Sequence, residues 1–173
     1  MSQITKLFPR IDSESVETSD LKSERICSPW SQETICEIFL GAQATADEAI
    51  KSAKKAFLLN IRETSATRAA WLRAAADEIE KVKIELADIT MRTLGKPRRA
   101  CNVEVSRSIQ FPRLCAEELL RMEGEVLPLD ALPMGAGRFG FTRHHPHGVV
   151  MAVIPFNAPS NLLMQKLAPA IAM

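Results

Sequence analysis

Residues 148–173 carry the strongest structural signal in the chain and read Gly148-Val-Val-Met-Ala-Val-Ile-Pro-Phe-Asn-Ala-Pro-Ser-Asn-Leu-Leu-Met-Gln-Lys-Leu-Ala-Pro-Ala-Ile-Ala-Met173. The apolar run at residues 148–154 is typical of a buried strand. The corner Pro155-Phe-Asn-Ala-Pro159 follows, and its two prolines restrict the backbone. Apolar residues at helical spacing come next. We therefore predict a strand, a corner and an amphipathic helix in succession.

Upstream of this unit the sequence predicts a layer of helices. Thr45-Ala-Asp-Glu48 is a capping-box pattern, which places the start of a first helix at residues 46–59. A second apolar stripe at helical spacing covers residues 66–94, and Gly95 is a natural stop for it.

A third helix is expected to begin at Pro97, because proline fits the first turn of a helix. Its apolar positions continue to about Gly124. Pro112 lies inside it and predicts a kink or a break, since proline removes an amide and clashes with the preceding turn.

The remaining segments are predicted from composition and alternation. Residues 1–22 are polar and without periodicity, which predicts a flexible arm. Residues 25–41 alternate as in a strand or the edge of a hairpin. Residues 124–134 read as a loop, and 138–143 with 148–154 read as two strands joined at the histidine-rich turn.

The chain resembles the aldehyde dehydrogenase superfamily in three features. They are the helical pattern Arg68, Leu72, Ala76 and Ile79, the turn Gly95-Lys96-Pro97 and the corner Pro155–Pro159. The resemblance runs from about Ala42 to the last residue. Three residues depart from the family pattern. The family usually has an acidic residue in place of Thr93, no proline in place of Pro112 and a bulky aromatic residue in place of Ala158.

The resemblance implies an α/β fold, namely the amino-terminal helical layer and first strand of a Rossmann-like cofactor-binding domain with an oligomerisation hairpin. The expected division is a flexible arm at 1–22, the helical part at 23–124, a loop and the oligomerisation hairpin at 125–150, and the first strand and helix of the catalytic cleft at 151–173. The family's catalytic cysteine and glutamate lie further downstream, so we expect an incomplete portion that is inactive alone.

The resemblance also implies the chemistry. The complete enzyme would oxidise a small aldehyde to a carboxylic acid with NAD or NADP. Asn157 would donate a hydrogen bond to the developing oxyanion, and Lys166 would handle a proton or orient a group. The cofactor would lie along residues 153–156, that is Val153, Ile154, Pro155 and Phe156. Expected partners are further copies in a homo-oligomer or a full-length subunit.

Each of these roles has a plainer alternative. Asn157 alone would suit the cap of a turn, Lys166 a solvated helix position, and residues 153–156 an ordinary core strand. Two alternatives also concern the whole chain. In the first, the chain is a non-catalytic assembly or binding module related to the family. In the second, it comes from a decayed reading frame and has no stable fold. The identity of the aldehyde and the choice between NAD and NADP stay open.

Composition excludes several other classes. The net charge is +1, from 22 basic and 21 acidic residues, so no basic stripe for nucleic acid is expected. The longest apolar stretch, Val149–Phe156, is too short to span a bilayer, and no signal-peptide core occurs near the start. We therefore expect a cytoplasmic protein without membrane or nucleic-acid partners.

The cysteine, histidine and glycine motifs are interpreted as having no catalytic, metal-binding or phosphate-binding role. The four cysteines lack CxxC spacing and are expected to be reduced thiols. Gly135-Ala-Gly-Arg-Phe-Gly140 has the letters of a dinucleotide fingerprint but no helix after it. His144-His-Pro-His147 is a surface turn without the ligands to complete a metal site, so no metal is expected.

Overall fold

The computed structural model describes residues 4–17 and 21–173. Helices form most of the molecule, and short strands lie near its amino terminus and, in sequence, between the last two helices. The strands are β1 (Thr5–Leu7), β2 (Arg10–Ile11), β3 (Glu14–Ser15), β4 (Ser23–Cys27), β5 (Thr34–Phe39), β6 (Val126–Leu127) and β7 (Gly140–Phe141). The helices are α1 (Gln43–Asn60), α2 (Ser65–Lys81), α3 (Lys83–Leu94), α4 (Arg98–Leu119) and α5 (Pro159–Ala172).

The amino-terminal strands form a small mixed sheet in the order β1-β5-β4. β4 and β5 pair antiparallel, which confirms the strand prediction for residues 25–41. β1 pairs parallel with β5, and the Phe8 ring stacks on that of Phe39 with centroids 4.3 Å apart. The flexible arm predicted at 1–22 instead contains the strands β1, β2 and β3 between residues 5 and 15, while residues 1–3 and 18–20 lie outside the described part of the chain. The reason is that the pairing partner of β1 lies 31 residues away in sequence, where local composition carries no signal.

The first helix begins earlier than its capping pattern indicated. Helix α1 starts at Gln43 with Ala42 as its N-cap residue. The Thr45 hydroxyl does not cap the helix from outside. It lies in the first turn and accepts a hydrogen bond from the Ala42 amide, at 3.3 Å. The predicted N-cap role of Thr45 is thus wrong, because its side chain reaches back over one turn.

The second predicted helix is two helices. Residues 66–94 are divided at Val82, whose backbone (φ −104°, ψ 14°) departs from helical geometry. α3 also packs against α4. Gly95 ends α3 in the left-handed conformation with φ 66°, and its amide donates to the Met91 carbonyl at 2.9 Å. The predicted glycine stop is confirmed.

Helix α4 runs through Pro112 without a break. Pro97 precedes it as the N-cap residue, and the helix ends at Leu119 rather than near Gly124. Pro112 is fully buried in the packed interior. Proline inside a helix costs about 3 kcal/mol or more, and burial against the neighbouring helices offsets that cost. Of the predicted kink or break at Pro112, the break does not occur.

Two clusters of small apolar side chains hold the helices together. In the first, α2, α4 and α5 meet through Ala69, Leu72, Ala116, Leu119, Ala168 and Ala172. In the second, α2, α3 and α4 meet through Ala76, Ala87, Cys101, Val105 and Ile109. Alanine at a helix crossing allows close approach of the backbones. The predicted amphipathic helix after the corner is confirmed as α5, whose buried face completes the first cluster.

The segment between α4 and α5 differs most from expectation. β7 pairs antiparallel with β6, with Val126 opposite Phe141. The predicted pairing of 138–143 with 148–154 does not occur, and residues 148–154 form no strand. Met151 is 86% exposed and Val153 69% exposed. An extended apolar segment becomes a strand only when another strand supplies hydrogen-bond partners, and no described residue pairs with this one.

Candidate functional site

The corner before α5 presents Asn157 at the surface. Asn157 lies in a turn and is exposed. Among the described residues, none makes a hydrogen bond with its side-chain amide. Its main-chain carbonyl is held instead, because Lys96 Nζ donates to it at 3.0 Å. The backbone of the corner is therefore anchored, while the side-chain amide stays available to a ligand.

A buried carboxylate lies behind this corner. Glu104 of α4 has a side chain only 3% exposed and forms an ion pair with Lys96. Its other oxygen, Oε1, accepts from the Ser160 amide at 3.1 Å and from the Ser160 hydroxyl at 2.9 Å. A buried charge is tolerated when an opposite charge and hydrogen bonds satisfy it. Lys96 and Ser160 meet that requirement for Glu104.

Sequence reasoning missed Glu104 and Ser160 and noted Lys96 only as part of a turn. One signal was present. Glu104 falls among the apolar positions of α4, and an acidic residue on the buried face of a helix needs a cation nearby. The sequence does not say which cation, because Lys96 precedes the helix and Ser160 is 56 residues away.

An open cavity of about 490 Å³ adjoins the corner, between the start of α4 and the start of α5. It is lined by Lys96, Pro97, Arg99, Ala100, Val103, Glu104, Arg107, Ala158 and Asn161. Lys96 and Glu104 neutralise one another. Arg99 and Arg107 are exposed and take part in none of the ion pairs found among the described residues. The cavity therefore has a surplus of positive charge.

The candidate cofactor wall is the extended segment 153–156. Val153 and Phe156 are 69% and 67% exposed, and Pro155 is exposed as well. In the described part of the chain, the main-chain groups of these four residues make no hydrogen bond. Free backbone donors and acceptors beside exposed apolar side chains suit a flat, partly apolar ligand such as nicotinamide. The segment fits the group, and its assignment as the cofactor wall stays a prediction.

Lys166 lies apart from the network just described. It is exposed on α5, and no hydrogen bond or ion pair joins it to a described residue. The structure brings Asn157 together with Lys96, Glu104 and Ser160, but it does not connect Lys166 to them. A proton-handling or orienting role for Lys166 stays a prediction.

The cysteines are free, and burial makes two of them poor nucleophiles. Cys101 is buried in the helical core, and Cys27 is exposed. Burial raises the pKa of the Cys36 thiol and of the Cys115 thiol, which disfavours the reactive thiolate. Within residues 4–17 and 21–173, no three histidine, cysteine or acidic side chains come together as a metal site.

The glycine motif at 135–140 leads to no helix. Gly135 ends a short 3-10 turn (Pro133–Gly135), and Gly140 begins β7. A pyrophosphate site would need the amino terminus of a helix at this place. As for bilayers, none of the helices in the described part of the chain combines the length and the apolar character needed to cross one.

The chain matches known proteins over nearly its whole length. The model of the aldehyde dehydrogenase family matches residues 16–173. The 3-sulfolactaldehyde dehydrogenase of Priestia megaterium is 35% identical over 156 residues, which are 90% of this chain and 32% of that enzyme. The chain thus spans about a third of the length of the curated relatives that it matches.

Solved structures agree. Aldehyde dehydrogenase 21 of Physcomitrella patens, in complex with the reaction product succinate, has a TM-score of 0.89 at 29% identity, over 98% of this chain and 35% of its own. NADP-dependent glyceraldehyde-3-phosphate dehydrogenase of Bacillus halodurans, with NADP, has a TM-score of 0.88 at 30% identity, over 98% and 36%. These likenesses confirm the α/β fold class. Some solved members of the family hold NADP and others hold NAD⁺.

Proposed function

Because the chain belongs to the aldehyde dehydrogenase family, we propose that it forms the amino-terminal third of an enzyme that oxidises an aldehyde to a carboxylic acid. NAD or NADP would accept the hydride. The observation that carries this proposal is the anchored corner, in which Asn157 has a fixed carbonyl and an unengaged side-chain amide beside a cavity. A donor with its backbone held in place is what a developing oxyanion requires.

The proposed roles of the residues rest on the family resemblance and are supported by this geometry. When a thiolate attacks an aldehyde, negative charge develops on the carbonyl oxygen. The Asn157 amide would donate a hydrogen bond to that oxygen, and one such donor is worth about 3–4 kcal/mol of barrier. Residues 153–156 would bind the cofactor through backbone groups and apolar contact. The nucleophile would come from protein outside these 173 residues.

Tests of catalysis need that further protein. We use "full-length enzyme" for residues 1–173 followed by the carboxyl-terminal two thirds of an aldehyde dehydrogenase. That part is supplied by fusion from the 35% identical Priestia enzyme. The proposal expects this enzyme to reduce NAD or NADP in the presence of an aldehyde, measured by the absorbance of the reduced cofactor. A folded full-length enzyme without such activity would contradict it.

The 173-residue chain alone is expected to show no aldehyde oxidation. Cys101 is buried, and burial raises the thiol pKa of Cys36 and of Cys115. Cys27, although exposed, belongs to the strand β4 of the amino-terminal sheet. The measurement is the formation of NADH or NADPH by the purified chain with small aldehydes. Turnover would place a working nucleophile within these residues and refute the expectation.

We further propose that the substrate is an anionic aldehyde. Arg99 and Arg107 give the cavity its surplus positive charge, and the cavity reaches Ala158, next to Asn157. Two relatives are named for anionic aldehydes, 3-sulfolactaldehyde and glyceraldehyde 3-phosphate. Guanidinium groups are suited to carboxylate, phosphate and sulfonate groups, which they bind in a bidentate manner.

Arg107→Gln tests this preference in the full-length enzyme. A hydrogen bond to a charged group is worth about 1.5–3 kcal/mol, so kcat/KM for succinic semialdehyde should fall by roughly 10- to 100-fold. The kcat/KM for the uncharged butyraldehyde should stay unchanged. Arg121→Gln is the matched control, because Arg121 pairs with Glu118 on the surface, outside the cavity. Equal losses for both aldehydes would contradict the anionic preference.

Association with further subunits is the second part of the proposal. Val149–Phe156 is largely exposed, as are Phe139 and Phe141 near the β6–β7 pair. Apolar surface of this kind favours contact with other protein, in a homo-oligomer or with a full-length subunit. The same surface supports the alternative of a non-catalytic assembly module. An inactive full-length enzyme that still binds an active relative would favour that alternative.

A cytoplasmic location stays a prediction that the free cysteines support.

A further inference from the structure

The four residues from Asn157 to Ser160 are held at both ends by side chains of a distant part of the chain. At one end Lys96 Nζ donates to the Asn157 carbonyl at 3.0 Å. At the other end Glu104 accepts from the amide and the hydroxyl of Ser160. Lys96 and Glu104 also pair with each other. The three side chains of Lys96, Glu104 and Ser160 are called the corner clamp below.

The corner clamp replaces a cap that α5 lacks. The N-cap residue is Ala158, whose side chain offers no acceptor. Pro159 occupies the first helical position and has no amide hydrogen to satisfy. The Ser160 amide is therefore the first donor of α5, and Glu104 accepts from it across the interface between helices. A carboxylate at a helix amino terminus is also favoured by the helix dipole. Glu104 thus satisfies the first amide of α5.

The position of Lys96 is itself fixed by the residue before it. Gly95 has φ 66°, and a Cβ atom there would come within 2.7 Å of Pro29 Cγ and 2.9 Å of Trp30 Nε1. The loop between β4 and β5 therefore packs directly on the turn that carries Lys96. Because the backbone on both sides of the clamp is restrained, a shift of Lys96 or Glu104 would be passed on to Asn157.

We propose that Lys96 and Glu104 are positioning residues that orient the side-chain amide of Asn157 toward the reacting oxygen. This inference rests on the proposed function of Asn157 as an oxyanion donor. Neither residue touches the substrate oxygen. Lys96 acts through the Asn157 carbonyl, and Glu104 acts through the start of α5. Because the backbone is held on both sides, few orientations are left to the side-chain amide of Asn157. A misplacement of about 1 Å at a reacting group can cost on the order of 100-fold in rate.

The test is a double-mutant cycle in the full-length enzyme. Lys96→Met removes the donor to Asn157 and keeps the apolar stem. It is combined with Glu104→Gln so that no buried carboxylate is left without its cation. Single-turnover acylation should fall by roughly 10-fold. In an Asn157→Ala background the same change should have less than about a 2-fold effect, because the amide that Lys96 orients is gone. Losses of equal size in the two backgrounds would overturn the proposal.

Two comparisons separate this proposal from general destabilisation. Lys81→Met removes the lysine of an exposed pair with Glu78 and should leave acylation unchanged. The affinity for NAD or NADP should also be unchanged by Lys96→Met with Glu104→Gln. If Asn157→Ala alone has no effect on acylation, the proposed function of Asn157 fails. If Asn157→Ala lowers the rate of acylation and Lys96→Met with Glu104→Gln does not, only the proposed role of the corner clamp is contradicted.

A measurement without catalysis tests the clamp in the 173-residue chain itself. Ser160 and Ala44 occupy the second position of α5 and of α1, where amides usually lack an intrahelical acceptor. Glu104 supplies an acceptor for Ser160, whereas no described residue does so for Ala44. Hydrogen exchange at Ser160 should be slower, by at least roughly 10-fold after correction for intrinsic rates. Equal protection at both amides would overturn the clamp whatever the enzyme's activity.

Discussion

Asn157→Ala in the full-length enzyme is expected to lower the rate of acylation by about two to three orders of magnitude, the usual cost of losing one oxyanion donor. The side-chain amide of Asn157 is not engaged by any described residue, so a reacting oxygen would be its first partner. The charge on that oxygen exists in the transition state and not in the bound aldehyde. The loss should therefore fall on the chemical step rather than on substrate binding.

Cofactor binding provides the internal comparison for this variant. The affinity for NAD or NADP should stay nearly unchanged, since residues 153–156 would hold the cofactor in the ground state through their backbone. Asn102→Ala is a matched substitution at an exposed position of α4 that does not line the cavity. It should leave the rate unaltered. A loss confined to cofactor affinity, with single-turnover chemistry intact, would assign Asn157 to a structural corner instead.

Leu72→Ala is expected to have the largest effect on stability, lowering the free energy of unfolding by about 2–5 kcal/mol. Leu72 is 2% exposed and lies where α2, α4 and α5 meet. Its neighbours in this cluster include Ala69, Ala116 and Ala168, which are too small to fill the space that the leucine would leave. Both the lost apolar contact and the remaining cavity contribute to the cost.

Urea unfolding of the 173-residue chain, followed by circular dichroism, measures this loss. Leu58→Ala makes the same substitution on α1, where the side chain is 58% exposed. The free energy of unfolding should then change by less than about 1 kcal/mol. If the two variants unfold at the same urea concentration, the meeting point of α2, α4 and α5 is not the stabilising core.

Strong local signals were read correctly from the sequence. Gly95 ends α3 in the left-handed conformation, and the Pro155–Pro159 corner leads directly into α5. These features depend on residues within one turn of each other, where backbone restrictions act. The resemblance carried by the same corner and by Gly95-Lys96-Pro97 also predicted the family that the comparisons show.

Packing overrode other local signals. Pro112 would break an isolated helix, yet it lies fully buried within a continuous α4. The apolar stripe at 66–94 reads as one helix, but Val82 divides it so that both halves can pack against α4. Val149–Ile154 has the composition of a strand and forms none, because a strand exists only with hydrogen-bond partners from elsewhere.

The sequence by itself therefore determined the family, the presence but not the bounds of the helices, and the corner that presents Asn157. Only the tertiary structure decided what holds that corner. Lys96 reaches Asn157 across 61 residues, and Glu104 reaches Ser160 across 56. No periodicity or spacing encodes contacts between such distant residues. They arise when α4 and α5 pack together and bury a carboxylate, which must then find its cation and its donors nearby.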